Sequence, residues 1–436
     1  MASPVDVPVA LLGYGTVGAA VNRLLTESAE DIERATGHRL RVVKALVRDP
    51  EKGRSYPAAP GVLTTDFAAI ADDPSIAVCA EVIGGLEPAG DHVLELLRRG
   101  KHVVTANKQL VARRGAELFA AASNAGVQLR FEASVCGAIP VIKVLPEALV
   151  VTNVHGVLGI VNGTTNFVLT EMEGGSTYGD ALAAAQEQGY AEADPTDDVS
   201  GADAAAKMAI LATVAFNSRV TLDDVRYSGI TTIDPADLVA ARQLDMVIRL
   251  VGAARLVDGR VDVSVRPALV DNQHPLAKVD GAFNAVMLQG DAIREITLEG
   301  PGAGGIETAS AVIADITSVI GTMGTGFLEN DAAWRELPTL PAGESRSPFY
   351  FRLHVEDRPG ALARVAEGLA EHEISIARLL QQPNGNGASL HVVTHEAQAG
   401  ALDDALVAIG GLDDVHRSSV PLPVVSDRGV TELGWA

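Results

Sequence analysis

The amino-acid sequence predicts an α/β protein of three successive domains, and the order of its strand-like and helical segments supports this division. Short β-rich runs alternate with helical patterns up to about residue 145, which predicts a parallel sheet with helices on both faces. Beyond that point the rhythm changes, which predicts an α+β domain with a sheet of its own. A βαββαβ order from residue 349 predicts a small independent domain at the C-terminus.

The first domain is expected to span residues 1–145, with residues 300–327 returning to it after the second domain. Its predicted strands are Val7–Leu12, Arg41–Val47, Val78–Ile83, Lys101–Thr105 and Gln128–Glu132. Its predicted helices are Val17–Ala35, His92–Arg99, Gly115–Ala125 and Thr308–Ile320.

The second domain is expected at residues 146–299, a polar, proline-containing linker at 328–348, and the third domain at 349–436. Predicted strands of the second domain are Val154–Val161, Val261–Leu269, Ala285–Leu288 and Ile293–Leu298. After a strand that begins at Phe349, the elements predicted for the third domain are Ala361–Glu371, Ile374–Leu380, Ser389–His395, Ala401–Ile409 and His416–Val420.

The composition restricts the possible partners and the compartment. The net charge of −22 argues against nucleic acid and anionic membranes, because both require clustered Lys and Arg. The chain contains two cysteines, Cys79 and Cys136, so we expect a reducing, cytoplasmic compartment rather than a disulfide framework. The N-terminus lacks the features of a signal peptide, and no apolar run reaches the length of a membrane span.

A glycine-rich turn directly after the first predicted strand predicts a dinucleotide site. The segment GYGTVG supplies Gly13, Gly15 and Gly18 in the G-x-G-x-x-G pattern, with Thr16 and Val17 between them. The first glycine permits a tight turn, the second lets the backbone approach a pyrophosphate, and the third allows close helix–strand packing. Because the motif follows a strand and opens a helix, it predicts a Rossmann-like domain.

The end of the second predicted strand carries residues that could select the cofactor. Arg48 can pair with the 2′-phosphate of NADP, whereas an acid at this place would bind the ribose hydroxyls of NAD. Asp49 stands beside it, so NADP is favoured only weakly over NAD. An exposed Arg–Asp pair at a strand end explains these two residues equally well.

Two further segments follow predicted strands, whose carboxyl ends face the ligand crevice of a doubly wound sheet. The segment TANK ends in Lys108, which could reach a nicotinamide or an anionic substrate, although taken alone it fits a solvated loop. Glu132 opens a loop that runs to Pro140. One carboxylate beside backbone carbonyls can hold a hard cation, and a simple domain-crossing loop is the alternative.

The segment 184–207 combines six carboxylates with one lysine, Lys207. A helix is predicted from about residue 202 to 216, with Asp203 and Lys207 four residues apart on one face. This helix is otherwise apolar all round, which predicts burial. A buried lysine needs partners, and it can transfer protons when its pKa is lowered. An ordinary surface pair and a metal site of paired acids are the alternatives, but the metal site leaves the lysine unexplained.

Together these motifs resemble the homoserine dehydrogenase family. The blocks GYGTVG, TANK, EASVCGAIPVI, NGTTNF, HPLA…NAV and GPGAGG occur in the family's order between residues 5 and 325. The C-terminal segment that begins Asp357-Arg358-Pro359-Gly360 resembles an ACT domain, a module that often binds amino acids. The family's central pattern is matched without departure by Ala185, Gly189, Asp194-Pro195, Asp198, Gly201, Asp203 and Lys207.

The resemblance implies NAD(P)-dependent interconversion of L-aspartate 4-semialdehyde and L-homoserine in threonine, methionine and isoleucine biosynthesis. Lys207 would transfer the proton and Asp198 would support it. Lys108 would lie beside the nicotinamide and the substrate, and its charge would lower the pKa of Lys207. Glu192 and Asp203 would bind homoserine, whose ammonium group calls for carboxylate partners.

The resemblance also implies where the cofactor and a cation bind. The residues expected at the cofactor are Gly13, Gly15, Thr16, Val17, Gly18, Arg48, Thr105, Lys108, Gly189 and Gly304. The expected ligands of a monovalent cation, which would be Na⁺, are the Glu132 side chain and the carbonyls of Val135, Gly137 and Ile139. Without the resemblance, the segment Gly300–Gly305 is equally well explained as a flexible connection.

The resemblance further implies a homodimer or homotetramer, because ACT modules usually pair and the central domain of this family dimerises. Threonine is a possible effector at the ACT domain, although His372 and Glu373 stand where a glycine or asparagine is expected in the turn. Two rival functions remain open. One is a related dehydrogenase that acts on an amine, and the other is an amino-acid sensor with a decayed catalytic half, against which the intact acid–lysine cluster argues.

Overall fold

The computed structural model describes residues 4–323, 336–356, 358–384, 387–412, 415–417 and 419–426. Parts of the predicted segments lie outside the described residues, namely 1–3 of the first domain, 324–327 of the returning segment, 328–335 of the linker, and Asp357, 385–386, 413–414, 418 and 427–436 of the third domain. Within the described residues, no helix combines the length and the apolar character that crossing a membrane requires.

The N-terminal part forms a parallel sheet with the strand order β3-β2-β1-β4-β5-β6. The strands are β1 (Val5–Leu12), β2 (His38–Leu46), β3 (Leu63–Thr64), β4 (Val78–Glu81), β5 (His102–Thr105) and β6 (Leu129–Arg130). The helices are α1 (Thr16–Glu27), α2 (Ala29–Thr36), α3 (Ala68–Ala71), α4 (Ala89–Arg98) and α5 (Lys108–Ala125). The strand order reverses between β1 and β4, and ligands of doubly wound sheets bind at such a reversal.

Two helices of this part differ from the prediction. The helix predicted as Val17–Ala35 is divided at Ser28, which ends α1 and precedes α2. Helix α5 begins at Lys108 and not at Gly115, because the Asn107 side chain accepts a hydrogen bond from the Leu110 N–H and caps the helix. Lys108 therefore lies in the first turn of a helix rather than in a loop.

The central part combines helices with long antiparallel strands. Its helices are α6 (Val141–Lys143), α7 (Gly163–Glu173), α8 (Tyr178–Glu187), α9 (Thr196–Val199), α10 (Ala202–Phe216) and α11 (Pro235–Gln243). The following helix, α12 (Gly305–Thr322), returns to the N-terminal part and packs against α1, β4 and β5. Its strands are β7 (Val154–Ile160), β8 (Arg226–Tyr227), β9 (Met246–Val257), β10 (Arg260–Asp271), β11 (Phe283–Gly290) and β12 (Arg294–Pro301). Helix α10 packs against α5, β7, β9 and β10, and nearly all its residues are buried, as its apolar sequence predicts.

The C-terminal part continues the central sheet instead of forming a separate one. Its strands are β13 (Arg346–Ser347), β14 (Phe349–Glu356), β15 (Ile376–Asn384), β16 (Gly387–Thr394), β17 (Ala397–Gln398), β18 (Val415–Arg417) and β19 (Leu422–Val425), and its helices are α13 (Ala361–Ala370) and α14 (Ala399–Gly410). Strand β19 pairs with β10 on one side and with β14 on the other. The resulting order is β12-β11-β7-β9-β10-β19-β14-β16-β15, so the expectation that the central sheet stands alone is wrong.

Candidate functional site

The charged residues of the acidic segment converge on Asp203, near the start of α10. Lys207 lies one turn further along, and its Nζ is 2.8 Å from Asp203 Oδ2. Lys108, at the start of α5, approaches the other carboxylate oxygen, with 2.5 Å between Nζ and Oδ1. Lys207 Nζ also donates to the Val161 carbonyl at 2.8 Å. Asp203 and Lys207 are buried, so they are not an ordinary surface pair.

Asn162, in the turn after β7, joins two carboxylates of this cluster. Its side-chain amide donates to Asp198 Oδ1 at 2.7 Å and to Asp203 Oδ2 at 2.8 Å. Its Oδ1 accepts from the Thr165 N–H at 2.8 Å and thereby caps α7. Sequence reasoning noted the NGTTN segment but gave Asn162 no role. An asparagine between a strand and a helix start was the available signal.

The protein compensates the charges of this cluster internally. Burial alone would raise the pKa of Asp203, but the ammonium groups of Lys207 and Lys108 outweigh it and hold that pKa below its usual range. Burial alone would lower the pKa of Lys207, but the attraction of Asp203 outweighs it and raises that pKa. The expected lowering of the pKa of Lys207 is therefore not found, because the Asp203 carboxylate contacts its ammonium group and keeps Lys207 charged.

The two other predicted acids occupy different positions. Asp198 lies on α9 and is partly buried, and burial, with the nearby charge of Asp203, raises its pKa. It is hydrogen-bonded to Asn162, and its charge raises the pKa of Lys207. Glu192 lies in the exposed loop between α8 and α9, and its carboxylate forms no ion pair with the residues that the structure describes. The structure thus brings Lys207, Lys108, Asp203 and Asp198 together and leaves Glu192 outside their contacts.

The GYGTVG turn joins β1 to α1 at the reversal of the strand order. Gly13 has a φ of 106°, and a Cβ there would lie 2.9 Å from the Val82 carbonyl oxygen. A Cβ on Gly18 would lie 2.4 Å from the Gly13 carbonyl oxygen. Gly15 borders open space, and within the described part of the chain no side chain caps α1. The first N–H groups of this helix are therefore available to an anion such as a pyrophosphate.

The other predicted cofactor residues lie around the same crevice or in loops whose surroundings are open. At the start of α12, a Cβ on Gly305 would lie 2.9 Å from Thr16 Cγ2, so the segment of Gly304 packs on the GYGTVG turn and is not a loose connection. Thr105, at the end of β5, donates to Glu81 Oε2 at 2.5 Å. Gly189 follows α8, has a φ of 77° and borders open space.

Two arginines, Arg48 and Arg54, follow β2, and the sequence predicted only Arg48 as a cofactor-binding residue. Arg48 is exposed. The guanidinium carbon of Arg54 lies 5.9 Å from the ring centroid of Tyr14, a residue of the glycine turn, and Arg54 donates to the Asp49 carbonyl at 2.6 Å. Sequence reasoning missed Arg54, because its approach to Tyr14 depends on the path of the long connection after β2.

Glu132 lies in a single 3-10 turn, Glu132–Ser134, and is buried. Its carboxylate oxygens accept from the N–H groups of Ile142 and Lys143, each at 2.8 Å. Burial nevertheless raises the pKa of Glu132 to about 7. In the part of the chain that the structure describes, this buried carboxylate accepts only from backbone donors. Together with the neighbouring carbonyls of a loop that contains Gly137, with a φ of 53°, it fits a hard monovalent cation. Among the described residues, no group of three or more His, Cys, Asp or Glu could hold a metal, so the paired-acid metal site is not found.

Comparisons with known proteins point to the same family in the N-terminal and central parts of the chain and add an ACT domain at its C-terminal part. Residues 13–132 match the profile of the homoserine dehydrogenase NAD-binding domain, 140–317 that of homoserine dehydrogenase, and 349–411 that of the ACT domain. Homoserine dehydrogenase of Bacillus subtilis is 38% identical, over 98% of this chain and 99% of its own. The Mycobacterium tuberculosis homoserine dehydrogenase is 42% identical, over 95% and 96% respectively.

A solved structure agrees with these matches. The crystal structure of a homoserine dehydrogenase from Thiobacillus denitrificans superposes with a TM-score of 0.92 at 38% identity, covering 96% of this chain and 98% of its own. The resemblance and the three-part α/β fold class predicted from the sequence are thereby confirmed. The chain therefore belongs to the homoserine dehydrogenase family, NAD(P)-dependent oxidoreductases that interconvert L-aspartate 4-semialdehyde and L-homoserine on the route to threonine, methionine and isoleucine, and it carries a C-terminal ACT domain.

Proposed function

We propose that Lys207 delivers the proton when this enzyme reduces L-aspartate 4-semialdehyde. A bound nicotinamide cofactor supplies the hydride, and the aldehyde oxygen then requires a proton. The observation that supports Lys207 is its burial in direct contact with Asp203. Because the pKa of Lys207 is raised, its ammonium group carries the required proton at neutral pH. In the reverse direction the same group must first lose that proton.

Substrate binding offers a way to release the proton. We propose that Asp203 and the exposed Glu192 bind the ammonium group of the substrate, which calls for carboxylates. Asp203 already binds Lys207 and Lys108, so a third cation would compete for its two oxygens. This competition weakens the attraction that raises the pKa of Lys207 and favours proton transfer. Asp198 would support Lys207 indirectly, because the Asn162 amide donates hydrogen bonds to both Asp198 and Asp203.

The cofactor is proposed to bind along the reversal of the N-terminal sheet. The first N–H groups of α1, at Thr16 and Val17, would hold the pyrophosphate, with Gly13, Gly15 and Gly18 shaping the turn. Further residues proposed to border the cofactor are Thr105, Lys108, Gly189 and Gly304. Arg48 and Arg54 would attract a 2′-phosphate, so we expect a higher kcat/KM with NADP⁺ than with NAD⁺. An equal or higher value with NAD⁺ would contradict this preference.

The loop that begins at Glu132 is proposed to hold Na⁺ through the Glu132 carboxylate and the carbonyls of Val135, Gly137 and Ile139. The support is the buried carboxylate, which forms no ion pair with an ammonium group among the described residues. The cation would fix the connection between the N-terminal and central parts, because Glu132 already binds the backbone of α6 through Ile142.

We also propose the three-domain division at 145, 299 and 348, with threonine as the effector of the ACT domain and a cytoplasmic location. A homodimer or homotetramer is proposed because Val150 and Val151 are 75% and 86% exposed, and exposed apolar side chains favour an interface. Light scattering on a sizing column would measure the assembly, and a monomer would contradict it. If threonine leaves the rate of homoserine oxidation unchanged, it is not the effector of the ACT domain.

The proton-transfer role is tested by steady-state kinetics of Lys207→Ala with homoserine. Loss of a general acid–base group typically lowers turnover about 10²–10⁴-fold. Lys207→Arg keeps the charge but cannot release a proton, so it should be similarly slow if the role is proton transfer. Recovery of turnover in Lys207→Arg would assign Lys207 a purely electrostatic role, and unchanged turnover in Lys207→Ala would exclude both roles.

A further inference from the structure

One face of the β9–β10 hairpin is turned away from α10 and carries two arginines. Side chains alternate between the two faces of a strand. A Cβ on Gly252 would lie 2.5 Å from the Met208 side chain, so the face of Gly252 packs on α10. Arg255 is three residues further along β9 and points to the opposite face. Arg266 shares that face, because it pairs with Val251 in the β9–β10 register.

A cleft lies on this second face and is bounded by the hairpin, residues 345–348 and β19. It consists of two adjoining cavities that share Arg255, and the larger has a volume of about 160 Å³. Arg266 lines the other cavity, together with Ser264. The cleft therefore has room for a small molecule and presents both arginine side chains to it.

Neither arginine has a carboxylate partner among the residues that the structure describes. The Nε atom of Arg266 is buried and makes no hydrogen bond there, and its guanidinium carbon lies 5.9 Å from the ring centroid of Phe349. Three of the carboxylates around the cleft already bind other groups, namely Asp262 with Arg226 and Ser345, Glu344 with Arg260, and Glu396 with Arg346. The fourth, Asp258, is exposed and forms no ion pair with either arginine in the described part of the chain.

The two guanidinium groups are incompletely compensated cations. Burial lowers the pKa of Arg266 to about 10, and the charges of Arg226 and Arg255 add to this effect. Burial also lowers the pKa of Arg255, in spite of the attraction of Asp262 and Glu396. Both groups nevertheless stay protonated at neutral pH. A partly buried cation without a partner is costly, and a bound anion would remove that cost.

We propose that this cleft binds a small oxyanion, whose carboxylate or phosphate oxygens are held by Arg255 and Arg266. The planar guanidinium group matches the geometry of both oxyanions and can bind them through two hydrogen bonds. Hydroxyl groups of Ser264 and Ser347 line the cleft and can donate further hydrogen bonds. The site is distinct from the active site, because it lies on the opposite face of the sheet from α10.

The test is calorimetric titration of the full-length protein at constant ionic strength, with inorganic phosphate and succinate as separate probes and chloride as the balancing anion. We expect saturable binding of at least one probe. Binding of phosphate alone identifies a phosphate-bearing ligand, and binding of succinate alone identifies a carboxylate ligand. If neither probe binds saturably, the proposal is wrong.

Variants assign the binding to the two arginines. Arg255→Gln and Arg266→Gln should each weaken binding about tenfold or more, since each removes a charge-assisted pair. Arg34→Gln is the matched control, because Arg34 is exposed on α2 and paired with Asp31. It should bind like the parent protein. Parent-like binding by both cleft variants would place the anion elsewhere and overturn the proposal.

Thermal unfolding separates a binding site from a structural role. In buffer without phosphate or carboxylates, both cleft variants should melt at or above the temperature of the parent, because the cation that is removed forms no ion pair with the described residues. They should also lose the rise in melting temperature that the bound probe causes in the parent. A lower melting temperature together with an unchanged rise would show that the arginines are structural.

Discussion

Asp203 and Glu132 are both buried carboxylates, but the protein compensates their charges in opposite ways. Two lysines contact Asp203, and they hold its pKa below the usual range. Among the described residues, Glu132 receives only backbone N–H donors, and burial raises its pKa to about 7. The protein itself therefore keeps Asp203 ionised, as a proton-transfer cluster requires. When Glu132 is ionised, its charge is not balanced by an ion pair among the described residues. A bound cation would then contribute most to the stability of the folded state.

The comparison predicts opposite dependences of stability on pH. The stabilising contribution of Asp203 is present above the ordinary pKa of an aspartate and is lost as the pH falls through the lowered value. The contribution of Glu132 is complete below its ordinary pKa of 4.5 and is lost as the pH rises towards about 7. At neutral pH the first residue therefore stabilises the folded state, whereas the second has lost its contribution.

The largest effect is expected for Asp203→Asn, which leaves two ammonium groups without their carboxylate. Breaking a buried pair from one side typically costs about 3–5 kcal/mol. Urea unfolding at pH 7 should show this loss of free energy. Asp194→Asn is the control, because Asp194 is exposed and bonded to Thr196 in the same acidic segment. A loss for Asp203→Asn no larger than that of the control would refute the compensation described for this cluster.

A smaller effect, with the opposite pH dependence, is expected for Glu132→Gln. The difference between about 7 and the ordinary 4.5, at 1.36 kcal/mol per pKa unit, corresponds to about 3 kcal/mol of stability lost between pH 4.5 and 7. Glu132→Gln should lack this loss, so its unfolding free energy should change less than that of the parent between pH 5 and pH 8.

The same variant tests the proposed cation. At pH 8, replacing choline chloride with NaCl should stabilise the parent but not Glu132→Gln, because Na⁺ binds the ionised carboxylate of the folded state. Glu187→Gln, which changes an exposed residue of α8, should respond like the parent. An equal response of the Glu132 variant and the parent to Na⁺ would remove Glu132 from the cation site.

The smallest effect is expected for Asn162→Ala. This change removes the donor to Asp198 and Asp203 and the cap of α7, and a lost buried hydrogen-bond partner costs about 1–3 kcal/mol. The control is Asn153→Ala, because Asn153 is exposed and pairs with Asp291. Denaturant unfolding and the kcat of both variants provide the measurement. If Asn162→Ala matches the control in both, Asn162 does not organise the cluster.

Local patterns predicted the parts of the fold that depend on neighbouring residues. The GYGTVG turn, the apolar helix that contains Lys207 and the βαββαβ order all follow from spacing of 2 or about 3.6 residues and from glycine geometry. The structure places the turn after β1 and buries the helix, as predicted. The early start of α5 was missed because it depends on one capping contact of Asn107.

Contacts between distant residues could not be predicted in this way. Strand β19 joins the central and C-terminal sheets, although 155 residues separate Leu269 of β10 from its partner Val424 in β19. Arg54 meets Tyr14 across a long connection, and Asn162 reaches Asp203 from 41 residues away. Nothing in the spacing of these residues indicates their partners.

The sequence by itself determined which residues are available for chemistry: a lone lysine in an apolar helix, the acids around it and the glycines of two loops. Only the tertiary structure decided how these residues are charged. Lys207 was expected to have a lowered pKa, and the structure shows a raised one, because Asp203 contacts it while Lys108 binds the same carboxylate. The physical reason is that periodicity depends on neighbours along the chain, whereas a pKa depends on burial and on distances between charges in space.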